Sequence, residues 1–148
     1  MNIEGTYKME APREAVFKAL LDPAVLSKAI PGCEKLDHLG NNRYEMTITM
    51  GIAAVKGTYA GKVELEDIVP PESYKMTVDA AAFPGAVKGI VTIRLVEDGN
   101  LTRISYSSDL QVSGKIAAVG TRFLAMTAKM LTGIFFKAMA KEIAAKAG

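Results

Sequence analysis

The sequence has very few of the side chains on which catalytic and metal sites are usually built. Its 148 residues include one cysteine, one histidine and no tryptophan. A single cysteine excludes an internal disulfide, and one histidine with one cysteine cannot supply the three or four ligands of a zinc site without several carboxylates. The nucleotide-binding fingerprints GxGxxG and GxxxxGK[ST] are also missing. We therefore expect no metal site and no intrinsic cofactor.

Charge and hydropathy exclude further classes of protein. Eighteen basic and 16 acidic residues give a net charge of +2, whereas a nucleic-acid-binding domain usually carries a strong basic excess on one face. The N-terminus lacks the apolar run of a signal peptide, and we find no stretch of about 18 apolar residues that would span a bilayer. Because 49% of the chain is hydrophobic, we expect one cytoplasmic domain, residues 1–148, with one core.

Alternation of apolar and polar residues with a period of two dominates the chain and predicts strands. It begins at residues 2–9 and returns in six further segments between residues 33 and 114, separated by turn signals such as Gly40-Asn41-Asn42. Between the first and second strands, Pro12 and then Asp22-Pro23 mark the starts of two short helices. Pro31-Gly32 ends the second helix. The spacing is typical of an antiparallel sheet with one apolar face.

The C-terminal segment, from about Lys115 to Ala147, contains no proline and predicts one long helix that covers the apolar face of the sheet. Apolar residues at steps of three and four predict its inward side; they are Ile116, Val119, Phe123, Met126, Met130 and Ile134. Phe136, Met139 and Ile143 recur on the opposite side, interleaved with lysines. We therefore predict an exposed patch there for a partner or an anionic membrane surface, with a homodimer contact as the alternative.

The order of strand, two helices, six strands and long helix is α+β and resembles the helix-grip fold of the START and Bet v 1-like (SRPBCC) superfamily. In that fold a curved seven-stranded antiparallel sheet wraps around the C-terminal helix. Five segments resemble more narrowly the CoxG family of carbon monoxide dehydrogenase proteins. They are IPGCEKL, VKGTYAGKVEL, the PPESY turn, FPGAVKG and VSGKIAAVGTRF, and they occur in that order over essentially the whole chain.

The resemblance implies a lipophilic molecule held in a cavity between the sheet and the long helix. It also implies an accessory, non-catalytic role beside a molybdenum-containing CO dehydrogenase or related hydroxylase at the cytoplasmic membrane. An isoprenoid quinone or a similar long-chain lipid is then a sensible ligand. Many members carry a hydrophobic extension after the core domain; this sequence ends at Gly148, and we expect no stable anchor of that kind.

The predicted inner face favours an adaptable apolar cavity. Six methionines fall on inner positions, and methionine is flexible and polarisable, although ordinary core packing is the alternative for each. Inner glycines leave volume unfilled or bend the sheet, and inner tyrosine and threonine hydroxyls could bind a ligand carbonyl, a backbone carbonyl or water. The candidate ligand-binding residues are Ile30, Met46, Met50, Gly57, Tyr59, Gly61, Tyr74, Met76, Phe83, Tyr106, Phe123, Met126, Thr127 and Met130.

Ile30 and Phe83 are predicted to form the lips of the cavity, the first at the end of the second helix and the second in the FPG loop. The alternative for the first is a capped helix end. Cys33 and His38 are interpreted as a small buried side chain and a surface residue, and nothing pairs them as nucleophile and base. Two other functions stay open: a cyclase or dehydratase of the same fold, and a docking protein that needs no ligand.

Overall fold

The computed structural model describes residues 1–51, 55–82 and 85–147, and this part of the chain contains seven strands and three α-helices. The strands are β1 (Asn2–Met9), β2 (Cys33–Gly40), β3 (Arg43–Met50), β4 (Gly57–Val69), β5 (Ser73–Ala82), β6 (Gly85–Asp98) and β7 (Leu101–Gly114). The helices are α1 (Arg13–Leu20), α2 (Pro23–Ala29) and α3 (Thr121–Ala147), with a short 3₁₀ helix (Lys115–Val119) before α3.

The strands form one antiparallel sheet in the order β1-β7-β6-β5-β4-β3-β2. This confirms the predicted sheet, including its return of the first strand to the side of the last. The predicted loop at residues 81–89 is shorter than expected, because β5 runs to Ala82 and β6 begins at Gly85. Phe83 and Pro84, between these strands, lie outside the described residues.

The two short helices follow the signals in the sequence. Asp22 accepts a hydrogen bond from the backbone N–H of Ala24 at 3.0 Å, and Pro23 occupies the first turn of α2. After α2 the chain turns at Gly32, whose φ is +75°, a conformation that favours glycine. The backbone N–H of Thr49 donates to the Gly32 carbonyl at 2.9 Å, so this turn is fastened to β3.

The main core lies between the sheet, the short helices and the C-terminal half of α3. It contains residues that belong to all of these elements, among them Met9 of β1, Val16 of α1, Val25 of α2 and Ile104 of β7. A second, small cluster of Val55, Tyr59 and Ile116 lies under the N-terminal half of α3. The two ends of the long helix therefore cover interiors of very different size.

The predicted orientation of the long helix is wrong. Phe123, Met126, Met130 and Ile134 were expected to face the sheet, yet all four are exposed, Met126 to 64%. The physical reason is a break before the helix: the 3₁₀ helix buries Ile116 and ends at Gly120, whose φ is +94°. The period that starts at Ile116 is therefore not continuous with α3.

The predicted surface patch is wrong for the same reason. Phe136, Met139 and Ile143 are buried in the main core, and Met139 is fully enclosed. The ring of Phe136 stacks on that of Tyr7 with a centroid distance of 5.2 Å. Apolar residues occur on more than one side of α3, so steps of three and four define two competing stripes, and the sheet buries the one that the sequence assigned to solvent.

The composition of α3 also corrects the expectation about membrane spans. Thr121–Lys146 is long and apolar enough to cross a membrane, with a mean hydropathy of 1.3. A core helix of a soluble protein satisfies the same criterion, and α3 contributes Phe136, Met139 and Ile143 to the main core.

Candidate ligand-binding cavity

An apolar cavity of about 230 Å³ lies between the sheet and the N-terminal half of α3, and it opens to the surface. It is lined by ends of β3, β4, β5, β6 and β7, by the 3₁₀ helix and by α3. The lining residues are Met1, Ile48, Met50, Val55, Tyr59, Ala80, Val87, Leu110, Val112, Ile116, Leu124, Thr127, Ala128 and Leu131. The described lining has no charged side chain.

The cavity exists because the two halves of α3 are held differently. At its C-terminal end, Lys146 Nζ lies 2.9 Å from Asp22 Oδ2 and Glu142 Oε1 lies 3.6 Å from Lys28 Nζ, which join α3 to α2 and the residue that caps it. The large side chain of Phe136 fills the space below that half of the helix. Below the N-terminal half the inner positions carry smaller residues such as Ala80 and Ala128, and the space between helix and sheet stays open.

Two side chains bring hydroxyl groups to the lining. Tyr59 of β4 is buried, and its hydroxyl donates a hydrogen bond of 2.8 Å to the backbone carbonyl of Val55. Burial also raises the pKa of Tyr59, so its hydroxyl stays neutral at physiological pH. Thr127 of α3 is the second; its residue is 9% exposed. The partner of the Tyr59 hydroxyl is thus a backbone carbonyl, one of the three possibilities that the sequence left open.

Of the predicted ligand-binding residues, Met50, Tyr59 and Thr127 line the cavity. A second group lies on the inner face of the sheet but belongs to the main core or borders the cavity without lining it. This group contains Met46, Gly57, Gly61, Tyr74, Met76 and Tyr106. Phe123, Met126 and Met130 point to solvent. Binding by any of these residues remains a prediction.

Tyr74 shows how tightly the main core is closed. It is buried, and the ring of Phe17 meets it edge-on at a centroid distance of 5.8 Å. Burial raises its pKa far above the ordinary tyrosine range. A ligand in the described cavity therefore does not reach this hydroxyl without displacing α1.

The lip prediction is not met at Ile30. This residue is half-buried at the end of α2, where its carbonyl accepts a hydrogen bond from the backbone N–H of Cys33 at 3.2 Å, and it is not among the lining residues. The turn at Gly32 is instead tied to β3, which agrees with the capped helix end kept as the alternative. Phe83 lies outside the described residues.

The lining also contains residues that sequence reasoning missed. Met1 belongs to it, because its carbonyl accepts a hydrogen bond of 2.8 Å from the backbone N–H of Leu110, which fixes the chain start beside β7. Leu124, Ala128 and Leu131 join Thr127 on the inward side of α3. Their spacing was a usable signal, but the stripe counted from Ile116 competed with it.

The candidate reactive residues are not assembled into a catalytic site. Cys33 is half-buried with its sulfur 3.5 Å from the carbonyl oxygen of Lys35, and burial raises the pKa of its thiol. His38 is exposed and stacks on the ring of Tyr44 at a centroid distance of 4.7 Å. Within residues 1–51, 55–82 and 85–147, no three His, Cys, Asp or Glu side chains come close enough to hold a metal ion.

Solved structures similar to this one share its whole architecture. A conserved protein from Geobacillus kaustophilus is 39% identical, with a TM-score of 0.94 over 97% of this chain and 95% of that chain. Ara h 8.0201 is 16% identical, with a TM-score of 0.74 over 98% of each chain. The ZhuI aromatase/cyclase from Streptomyces sp. R1128 is 15% identical, with a TM-score of 0.71 over 100% of this chain and 96% of that chain.

The last two likenesses, below 25% identity, concern the fold alone, and they confirm the helix-grip, Bet v 1-like architecture. A comparison with curated proteins gives no match. The family model for the carbon monoxide dehydrogenase protein CoxG matches residues 5–144, which is nearly the entire chain. The chain therefore belongs to the CoxG family of carbon monoxide dehydrogenase proteins.

Proposed function

We propose that this protein is a non-catalytic carrier of a lipophilic small molecule, an isoprenoid quinone or a similar lipid. The observation that carries the proposal is the cavity under the N-terminal half of α3, whose described lining is apolar apart from two hydroxyl groups. Small-molecule sites are usually concave, mostly apolar and supplied with only a few polar groups. The described lining has no carboxylate, imidazole or thiol that could act as general acid, base or nucleophile.

The size of the cavity limits how much of such a ligand it encloses. At about 230 Å³ it is smaller than the roughly 300–1,000 Å³ of sites that bury a whole drug-sized molecule. It accommodates one ring or a short length of chain. Because the cavity is open, the remainder of a longer molecule extends out of it.

The proposed test of the carrier uses decylubiquinone as the probe and two neighbouring alanines of β5. Ala80 lines the cavity, whereas Ala81, the next residue, is exposed on the other face of the sheet. Ala80→Phe fills the cavity, and Ala81→Phe adds the same ring outside it. We expect wild type and Ala81→Phe to bind the quinone in equilibrium dialysis and Ala80→Phe to lose binding.

Two controls accompany this test. Circular dichroism establishes that Ala80→Phe is folded, since overpacking a core costs roughly 1–3 kcal/mol. Organic extraction and mass spectrometry of gently purified wild-type protein identify any lipid that is already bound. A wild-type protein that is free of lipid and binds no decylubiquinone contradicts the carrier proposal, as does equal binding by the two phenylalanine variants.

We further propose that the carrier works at a membrane surface and serves a molybdenum-containing CO dehydrogenase or a related hydroxylase. The partner is proposed on family membership alone. Membrane contact is supported by the outer stripe, defined as Phe123, Met126, Met130 and Ile134, which are exposed on one side of α3. Arg122, Lys129 and Lys137 are exposed beside it. Exposed apolar side chains flanked by cations suit an anionic lipid surface.

A liposome assay separates this role from the carrier role. The double variant Phe123→Ser, Met126→Ser should float less well with vesicles of phosphatidylglycerol and phosphatidylcholine than wild type does. Leu39→Ser is the matched control, because Leu39 is 55% exposed but lies on β2. If wild type ignores the vesicles, or if all three proteins bind equally, the stripe has no membrane role. Liposome binding that survives in Ala80→Phe would favour docking that needs no ligand.

A further inference from the structure

The hydroxyl of Thr127 has an environment that the fold does not account for. Hydroxyls of threonines in helices commonly bond to the carbonyl four residues earlier, and Thr132, five residues further along α3, does so with Ala128 at 2.7 Å. In the described part of the chain the Thr127 hydroxyl makes no hydrogen bond, although the residue is only 9% exposed. A buried hydroxyl without a partner costs roughly 1–3 kcal/mol.

This hydroxyl is nevertheless reachable. Among the described residues that are not exposed, Arg13 Nε is the one fully enclosed side-chain nitrogen or oxygen without a hydrogen-bond partner. The Thr127 oxygen also lacks a partner but is not fully enclosed, so part of its surface stays accessible. Thr127 belongs to the cavity lining, so the accessible oxygen is available to a molecule in that space.

The other hydroxyl of the lining is already used. Tyr59 donates its only hydroxyl proton to the Val55 carbonyl at 2.8 Å, and the remaining lining side chains are hydrocarbon or thioether. Thr127 is therefore the side chain of the described lining with a hydroxyl proton left to donate.

We infer that Thr127 selects the ligand, by donating a hydrogen bond to a single acceptor oxygen on an otherwise apolar molecule. The inference rests on the proposed carrier function and narrows it. The favoured ligands carry a carbonyl, ester or ether oxygen on a hydrocarbon frame, and a plain hydrocarbon of the same shape binds less well. A site that offers a hydrogen bond discriminates in this way because the unpaired group is penalised when the ligand has no acceptor.

The test compares 2-octanone with n-octane, two probes that differ by one carbonyl oxygen. Affinities are measured by displacement of a fluorescent apolar dye from wild type, Thr127→Val and Thr132→Val. Valine keeps the shape of threonine and removes the hydroxyl, and Thr132, whose hydroxyl is bonded within the helix, is the control for the substitution itself. Thr127→Ser, which keeps the hydroxyl, is the rescue variant.

We expect Thr127→Val to weaken 2-octanone binding about 2- to 12-fold, since a neutral hydrogen bond contributes about 0.5–1.5 kcal/mol. Binding of n-octane should stay the same or improve, and Thr127→Ser and Thr132→Val should retain the preference of wild type. Equal changes for both probes, or no change for 2-octanone, overturn the selecting role while the carrier proposal stands. If wild type binds neither probe, both proposals fail. Thermal unfolding confirms that each variant is folded.

Discussion

The orientation of α3 leads to a direct test with two methionines on the same helix. Met139 is fully enclosed in the main core, whereas Met130, nine residues earlier, is 48% exposed. Truncating a buried methionine to alanine costs about 2–5 kcal/mol, because transfer energy is lost and a cavity remains. Burying a whole methionine is worth about 1.5–3 kcal/mol, so the half-exposed Met130 should cost below about 1 kcal/mol, and the higher helix propensity of alanine offsets part of that.

The assay is thermal unfolding of wild type, Met139→Ala and Met130→Ala, followed by circular dichroism. For a domain of this size 1 kcal/mol corresponds to about 2–4 °C in Tm, so we expect losses of about 4–20 °C for Met139→Ala and under about 4 °C for Met130→Ala. Each variant is the control for the other, since residue, substitution and helix are shared. A Met130→Ala loss equal to or larger than that of Met139→Ala would refute the orientation and favour the one predicted from the sequence.

Three other predictions concern single contacts. The hydrogen bond from Lys146 lowers the pKa of Asp22, so Lys146→Ala should cost below about 1 kcal/mol at pH 7. That loss should disappear as the pH falls below the ordinary value of 3.8 and protonates the carboxylate, which urea midpoints measured across this range would show. Thr102 is fully buried and donates to the Ala11 carbonyl at 2.7 Å; Thr102→Val should cost about 1–3 kcal/mol by urea unfolding, and no loss contradicts this. Because burial raises the pKa of Cys33, its alkylation by iodoacetamide at pH 7.5 should be slower than that of glutathione, and a faster rate would contradict the assigned environment.

Much of the fold could be predicted because its signals are local. Alternation with period two depends on neighbouring residues only, so the strands and the inner positions of Tyr44, Met46 and Ile48 follow from the sequence itself. The same holds for Asp22 and Pro23, whose capping role is completed within one helical turn. The return of β1 to β7 is not local, and it came from the resemblance to helix-grip proteins.

The rotation of α3 could not be predicted, because it depends on what lies beneath the helix. Both stripes of α3 satisfy the spacing of an amphipathic helix, and only the shape of the sheet and short helices decides between them. Gly120 was the available warning: a glycine after Lys115–Val119 permits the left-handed conformation that separates the two helical segments. Counting the period from Thr121 instead of Ile116 removes the apparent continuity.

The cavity was predictable in kind but not in place. Inner methionines and glycines indicated a loosely filled interior, yet Met46 and Met76 pack against the main core and Gly61 stands between Met46 and Ala80 without lining the cavity. What decides the location is the difference in side-chain size between the two halves of α3. That difference has meaning only when the inward stripe is known, so the error in rotation carried over to the site.

The two wrong assignments on α3 have a common consequence for function. Since Phe136, Met139 and Ile143 are needed in the core, they cannot also form a surface for a partner. The outer stripe contributes little to the core, because its members are exposed, and exposed apolar side chains that add little stability are the ones expected to serve contacts with something else. On the helical wheel this stripe adjoins the inward side that contains Thr127 and Leu131. An apolar path therefore leads around one side of α3 from the cavity lining to the surface proposed to meet the membrane, which is the route that a lipophilic ligand leaving a bilayer requires.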